Sequence, residues 1–128
     1  MSTELEFYTD DEGAAVELVL PAFGSKPIHC INLEAYSADD KMRTDIQFLM
    51  EKQNDFLQKI AAETEAYCKR LYGAEATDLV LVKIYLSPDE KDKFGFMFAT
   101  DLDSEHAIGL KFVGLELKKV GSSETAFL

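Results

Sequence analysis

The sequence predicts an α+β domain of two layers, in which one long helix packs on a mostly antiparallel sheet of about five or six strands. Three observations point there. Six segments alternate apolar and polar residues at period two, or are apolar on both faces. One segment of about 30 residues, between the second and third of these, instead repeats its apolar residues at threes and fours. Turn-forming residues separate the segments, with no internal repeat, low-complexity stretch or linker, so residues 1–128 read as one domain. With 47% hydrophobic residues, nine Phe and five Tyr, the chain has enough apolar material for one core.

In "AAVELVLPAFG" the residues Val16, Leu18 and Leu20 share one face, with Glu17 and Val19 opposite, and Pro21 and Gly24 end the strand. "PIHCINLEAYS" places Ile31, Leu33 and Ala35 on one face and Cys30, Asn32 and Glu34 on the other; across the loop "PAFGSKP" the two strands pair as a hairpin. The helix follows, with Ile46, Leu49, Met50, Gln53, Leu57, Ile60, Thr64, Tyr67, Cys68 and Leu71 in its apolar stripe. Ser37 or Asp39 caps its start, Lys69 and Arg70 suit the negative end of its dipole, and Gly73 supplies a left-handed stop. Its length allows a break near Lys52 to Asp55.

Four strands complete the set. "DLVLVKIYL" has Val80, Val82, Ile84 and Leu86 on one apolar face and Leu79 and Leu81 on the other, as suits a central strand. "KFGFMFAT" lines up Phe94, Phe96 and Phe98 as a slab to receive Leu49, Leu57 and Ile60 of the helix. "HAIGLKFVG" buries Ile108, Leu110 and Phe112, and "LELKKV" closes the sheet. "SPDEKDK" between the first pair reads as a solvated hairpin turn.

Net charge narrows the functional classes. Twenty-four acidic residues face 13 basic ones, for a formal charge of −11 and a pI near 4.5. Such a surface repels phosphate backbones and anionic lipid, so neither nucleic acid nor membrane is an expected partner, and a basic protein is. No apolar run approaches the roughly 20 residues that span a bilayer. The start "MSTELEFYTDDEG" is acidic where a secretory signal is basic and then apolar, so the expected location is cytoplasmic. Cys30 and Cys68 are too few and too far apart for a disulfide framework or a CxxC site, and both read as reduced and buried.

The stretch "DLDSEHAIG", residues 101–109, carries the densest chemistry. Asp101, Asp103 and Glu105 alternate ahead of His106, one of two histidines. A calcium loop needs a glycine at its bend and a bidentate acid at its end, and neither is present, so no metal is expected. Asp and Ser favour turns by bonding to nearby amides, which makes the stretch an exposed acidic hairpin connection. Neighbouring carboxylates should help His106 hold its proton. His29 and Cys30 are sequential on a strand and point to opposite faces, so they form no dyad. Phosphate-loop, dinucleotide, zincin and nucleophile-elbow motifs are absent. The chain is therefore not expected to be an enzyme or to hold a cofactor. Asp101, Asp103, Glu105 and His106, with Asp89 and Asp92 in the preceding turn, are the expected partner-binding residues.

The two hairpin strands, the long helix and the run "FGFMFATDLDSEHAIGLKFVGLELKKVGSSETAFL" resemble small acidic bacterial proteins. Some of those families are immunity proteins encoded beside secreted toxins, in contact-dependent inhibition and related polymorphic toxin systems. The likeness lies in size, charge and strand–helix–strand order, so it assigns no residue a role. It implies a non-enzymatic cytoplasmic immunity or inhibitor protein that binds and blocks a basic toxin domain, such as a nuclease. A structural or regulatory bacterial module is the alternative, and a hydrolase-like enzyme the third reading.

Overall fold

The computed structural model describes residues 6–33, 35, 37, 39–73, 79–87, 92–100 and 103–127, the side chains of 103–106 excepted. In chain order the elements are β1 (Tyr8–Thr9), β2 (Gly13–Leu18), a 3-10 turn at Pro21–Phe23, β3 (Ile28–Leu33), α1 (Asp40–Tyr72), β4 (Leu79–Leu86), β5 (Lys93–Thr100), β6 (Asp103–Val113), β7 (Glu116–Ser122) and a second 3-10 turn at Ser123–Ala126. The described strands form one sheet in the order of the chain. Every neighbouring pair is antiparallel except β3 and β4, which run parallel because α1 crosses between them. The α+β architecture is the expected one, with seven strands instead of five or six. The additional strand is β1, whose two residues are too few to show an alternation.

Helix α1 runs unbroken for 33 residues, about 50 Å. Its start is capped by Asp39, whose carboxylate accepts from the Met42 amide at 2.8 Å, and its end by Gly73 at φ 68°. The break that such a length allows near Lys52 to Asp55 does not occur. Gln53 instead ties the helix to the first 3-10 turn, its Oε1 accepting from the Ala22 amide at 2.9 Å while its Nε2 donates to the Met50 carbonyl. The buried stripe is Met42, Asp45, Ile46, Leu49, Phe56, Ile60, Thr64 and Cys68. Phe56 occupies the position expected of Leu57, which is only half-buried, and Leu71 is exposed. The buried Thr64 hydroxyl donates to the Ile60 carbonyl at 2.7 Å, so it adds no unmet polar group.

Beneath the helix, Phe94, Phe96 and Phe98 of β5 and Ile108, Leu110 and Phe112 of β6 present the expected apolar faces. In β4 the faces differ from expectation. A β-bulge between Leu81 and Lys83 inserts one residue, which reverses the parity of the strand. Leu81, Ile84 and Leu86 therefore all reach the core, while Val80 and Val82 are exposed. The stretch expected as a hairpin connection is also mostly strand. Asp103 already pairs with Thr100, and Asp103 to Gly109 belong to the eleven-residue β6. Both cysteines are buried as thiols. Among the described residues, no helix is long and apolar enough to cross a membrane.

Two further buried polar side chains lie on the helix side. Asp45 accepts from Lys41 Nζ and from the Asp92 amide at 3.2 Å, which fastens the turn before β5 to the helix. Asn32 is fully buried and neither its Oδ1 nor its Nδ2 has a partner. An unmet buried amide is destabilising, so Asn32→Leu, a change of similar size, is expected to raise stability by about 1 kcal/mol. Denaturant midpoints of the two proteins check this, and a loss of stability in the leucine variant would contradict it.

Candidate functional site

The helix-free face of the sheet carries the polar groups that sequence alternation leaves outward. Register aligns Glu17 of β2 with His29 of β3, and His29 with Lys83 of β4, so three charged or chargeable side chains form one row. Tyr8 of β1 joins it, its hydroxyl donating to Glu17 Oε2 at 2.8 Å. His29 Nδ1 lies 2.7 Å from the same oxygen, and Nε2 lies 3.6 Å from Asp10 Oδ2. Lys83 Nζ donates to both carboxylate oxygens of Glu12, at 2.9 and 3.1 Å, and stands 5.0 Å from the centre of the Tyr85 ring. The connection from β1 to β2 that delivers Asp10 and Glu12 is itself ordered by Asp10. Its Oδ1 accepts from the amides of Glu12 and Gly13, at 2.8 and 3.2 Å, and its amide donates to the Gly13 carbonyl.

These contacts tune the groups. Partial loss of hydration, the hydrogen bond to Glu17 and the charges of Glu17 and Asp10 push the Tyr8 phenol up to about 12. Burial acts to raise Glu17, but hydrogen bonds from His29 and Tyr8 outweigh it and hold the carboxyl below its usual range. Burial likewise acts to lower Lys83, and its bond to Glu12 and contact with Tyr85 turn the balance upward. Behind the row, Cys30 points into the core, where burial pushes its thiol up and keeps it protonated.

Among the described residues no group of three His, Cys, Asp or Glu side chains could hold a metal ion. A shallow cleft of about 300 Å³ lies elsewhere, between α1 and β7, lined by Gln58, Lys59, Ala62, Glu63 and Leu117.

The expected partner-binding residues separate. Asp89 and Asp101 fall outside the described residues, and Asp103, Glu105 and His106 are placed only by their backbone, at the start of β6. Asp92, at φ 60°, holds the turn before β5 and accepts from the Gly114 amide at 2.7 Å. It stands at one end of β5 and Asp103 at the other, about 24 Å apart along a strand of eight residues. Strand directions bring a different set together. The turn Asp10–Glu12, the helix start Asp39–Asp40 and the Asp92 turn all lie at the end of the sheet where β3 and β4 finish. Asp10 to Glu12, Asp39 and Asp40 are exposed there. The row of Tyr8, Glu17, His29 and Lys83 was not anticipated; its signal in the sequence is the outward position of Glu17, His29 and Lys83 on successive strands.

The chain matches no family model, no curated protein and no solved structure.

Proposed function

We propose that the protein is a non-enzymatic binding module for a basic protein partner, most concretely an immunity or inhibitor protein that blocks a toxin domain such as a nuclease. The observation that supports this reading is the convergence of Asp10, Asp11, Glu12, Asp39, Asp40 and the Asp92 turn at one end of the sheet, in a chain of net charge −11. Carboxylates from three separate connections gathered on one rim set up a negative field. Such a field speeds encounter with a cationic surface and opposes anionic ones. Among the described residues, none makes a hydrogen bond or ion pair with the side chains of Asp11 and Asp40, which leaves their charge for a partner.

The test is the association rate with a basic protein encoded beside this one, measured against salt. Raised salt should slow the wild type, because steering is screened beyond about 10 Å at 0.1 M. The pair Asp11→Asn with Asp40→Asn should slow association and flatten the salt dependence while leaving thermal stability unchanged, since solvated charges contribute little to folding. A rate independent of salt, or one that responds to Asp103→Asn and not to this pair, would move the interface to another surface.

A further inference from the structure

We propose that His29 is a pH-operated latch for the edge of the sheet: its imidazolium fastens the Asp10 turn, and β1 with it, to β2 and β3, and its neutral ring leaves that turn slack. The inference stands on contacts within the fold and is independent of any partner.

The edge needs fastening. Strand β1 pairs with β2 through two residues only, Tyr8 opposite Ala15 and Thr9 opposite Ala14, and so small a ladder contributes little by itself. Side chains supply the other ties. Tyr8 binds Glu17 through its hydroxyl and lies against the His29 ring, with centroids 6.3 Å apart. Asp10 closes the turn with its Oδ1 and turns its Oδ2 toward His29.

His29 sits between two carboxylates on different segments, and the two nitrogens have different tasks. Nδ1 lies 2.7 Å from Glu17 Oε2 and 3.1 Å from the Tyr8 hydroxyl; because that hydroxyl gives its proton to Glu17, we assign the neutral ring's proton to Nδ1, where the carboxylate accepts it. In the neutral ring Nε2 then carries a lone pair aimed at the Asp10 carboxylate 3.6 Å away, a contact with no attraction in it. Protonation turns that lone pair into an N–H donor and the ring into a cation between two anions. The 3.6 Å gap becomes an ion pair that pulls the turn inward.

The groups that face His29 leave it as the one that switches. From β1 comes Tyr8, whose phenol remains neutral up to about 12. From the turn come Asp10 and, beyond it, Glu12; from β2 comes Glu17, held ionised. From β4 comes Lys83, whose charge is countered by Glu12 at 2.9 Å. Imidazole is the side chain in this set that changes charge between about pH 5 and 8.

The experiment follows the Asp10 amide, which donates to the Gly13 carbonyl at 2.9 Å and so reports closure of the turn. Its exchange protection factor, corrected for the intrinsic effect of pH, is measured by NMR in the full chain from pH 7.5 to 5.5. The His29 ring resonances are followed in the same samples to mark its titration. Protection should rise about two- to fivefold as the ring protonates, the range expected of a half-exposed ion pair. The rise should vanish in His29→Gln, which cannot charge, and in Asp10→Asn, which keeps the Oδ1 acceptor of the turn and loses only the anion. Protection that stays flat while the ring titrates overturns the latch, and so does a rise that persists in either variant.

Discussion

Truncating Phe56 to alanine is expected to cost about 3–5 kcal/mol, a large part of the stability of a domain this size. The ring is fully buried on α1 and touches four others: Phe48 at 6.0 Å between centroids, Phe94 at 5.5 Å, Phe96 at 5.2 Å and Phe112 at 5.2 Å. Three of these contacts are edge-on, the geometry that aromatic quadrupoles favour. The same ring therefore joins the helix to β5 and β6 at once, and alanine would leave a cavity bounded by groups that cannot all collapse into it. Phe96→Ala should fall in the same range. The double variant should lose less than the sum of the two, because each change removes their shared contact. Leu57→Ala, one residue along and only half-buried, should cost about 1 kcal/mol or less. Chemical denaturation of the set decides the matter: a larger loss at Leu57 than at Phe56 would mean that the helix sits on the sheet in a different rotation.

The comparison of Phe56 with Leu57 shows where the sequence was legible. From Leu49, both residues complete two helical turns to within a residue, so periodicity alone admits either. The choice was made by the sheet, whose slab of Phe94, Phe96 and Phe112 accepts an aromatic ring. The buried faces of β5 and β6 were readable to the residue. Strand β4 was not, because it is apolar on both faces and a bulge at Leu81–Lys83 leaves no mark in such a pattern. The stretch from Asp103 to His106 was misread for a different reason. Asp and Ser favour turns, but strand pairing at Asp103 and from Ile108 to Val113 outweighs that local preference. Of the candidate site, the acidic excess could be read and its distribution could not. Which turns share an end of the sheet depends on the parallel β3–β4 pairing, a consequence of topology that no local motif carries.

That topology leaves two unlike faces. The helix side is closed by α1. On the other, a small apolar patch of Ala15, Ile31, Leu33, Tyr85 and Met97 lies between the polar row of Tyr8, Glu17 and His29 and the C-terminal turn, whose Ala126 completes the cluster. The contacts of Phe127 with Tyr85, of Tyr85 with Lys83 and of Lys83 with Glu12 run in sequence across this face. The chain's last turn is thereby connected to the turn between β1 and β2 through side chains alone.

Gly95→Ala is expected to release that last turn and to cost about 1–3 kcal/mol. A methyl at position 95 would stand 1.6 Å from the Ala126 carbonyl oxygen, 2.6 Å from its carbon and 3.0 Å from its Cα, all backbone atoms that cannot rotate away. The neighbouring floor is equally bare: a Cβ at Gly109 would meet the Ser122 oxygen at 2.5 Å and the Ala126 amide at 2.8 Å. With no side chains between them, the turn at Ser123–Ala126 lies directly on β5 and β6, which buries Thr125 and Ala126 and brings the Phe127 ring to 5.3 Å from Tyr85. The cost should come from that contact and not from the strand. Alanine suits an extended backbone slightly better than glycine, by about 0.5–1 kcal/mol, once nothing lies above it. The sign of the effect should therefore reverse when the chain is ended after Ser122. In the full chain Gly95→Ala lowers the denaturation midpoint, and in the shortened chain it leaves the midpoint unchanged or raises it. An equal loss in both would show that position 95 is constrained by the sheet itself and that the turn above it is a passenger.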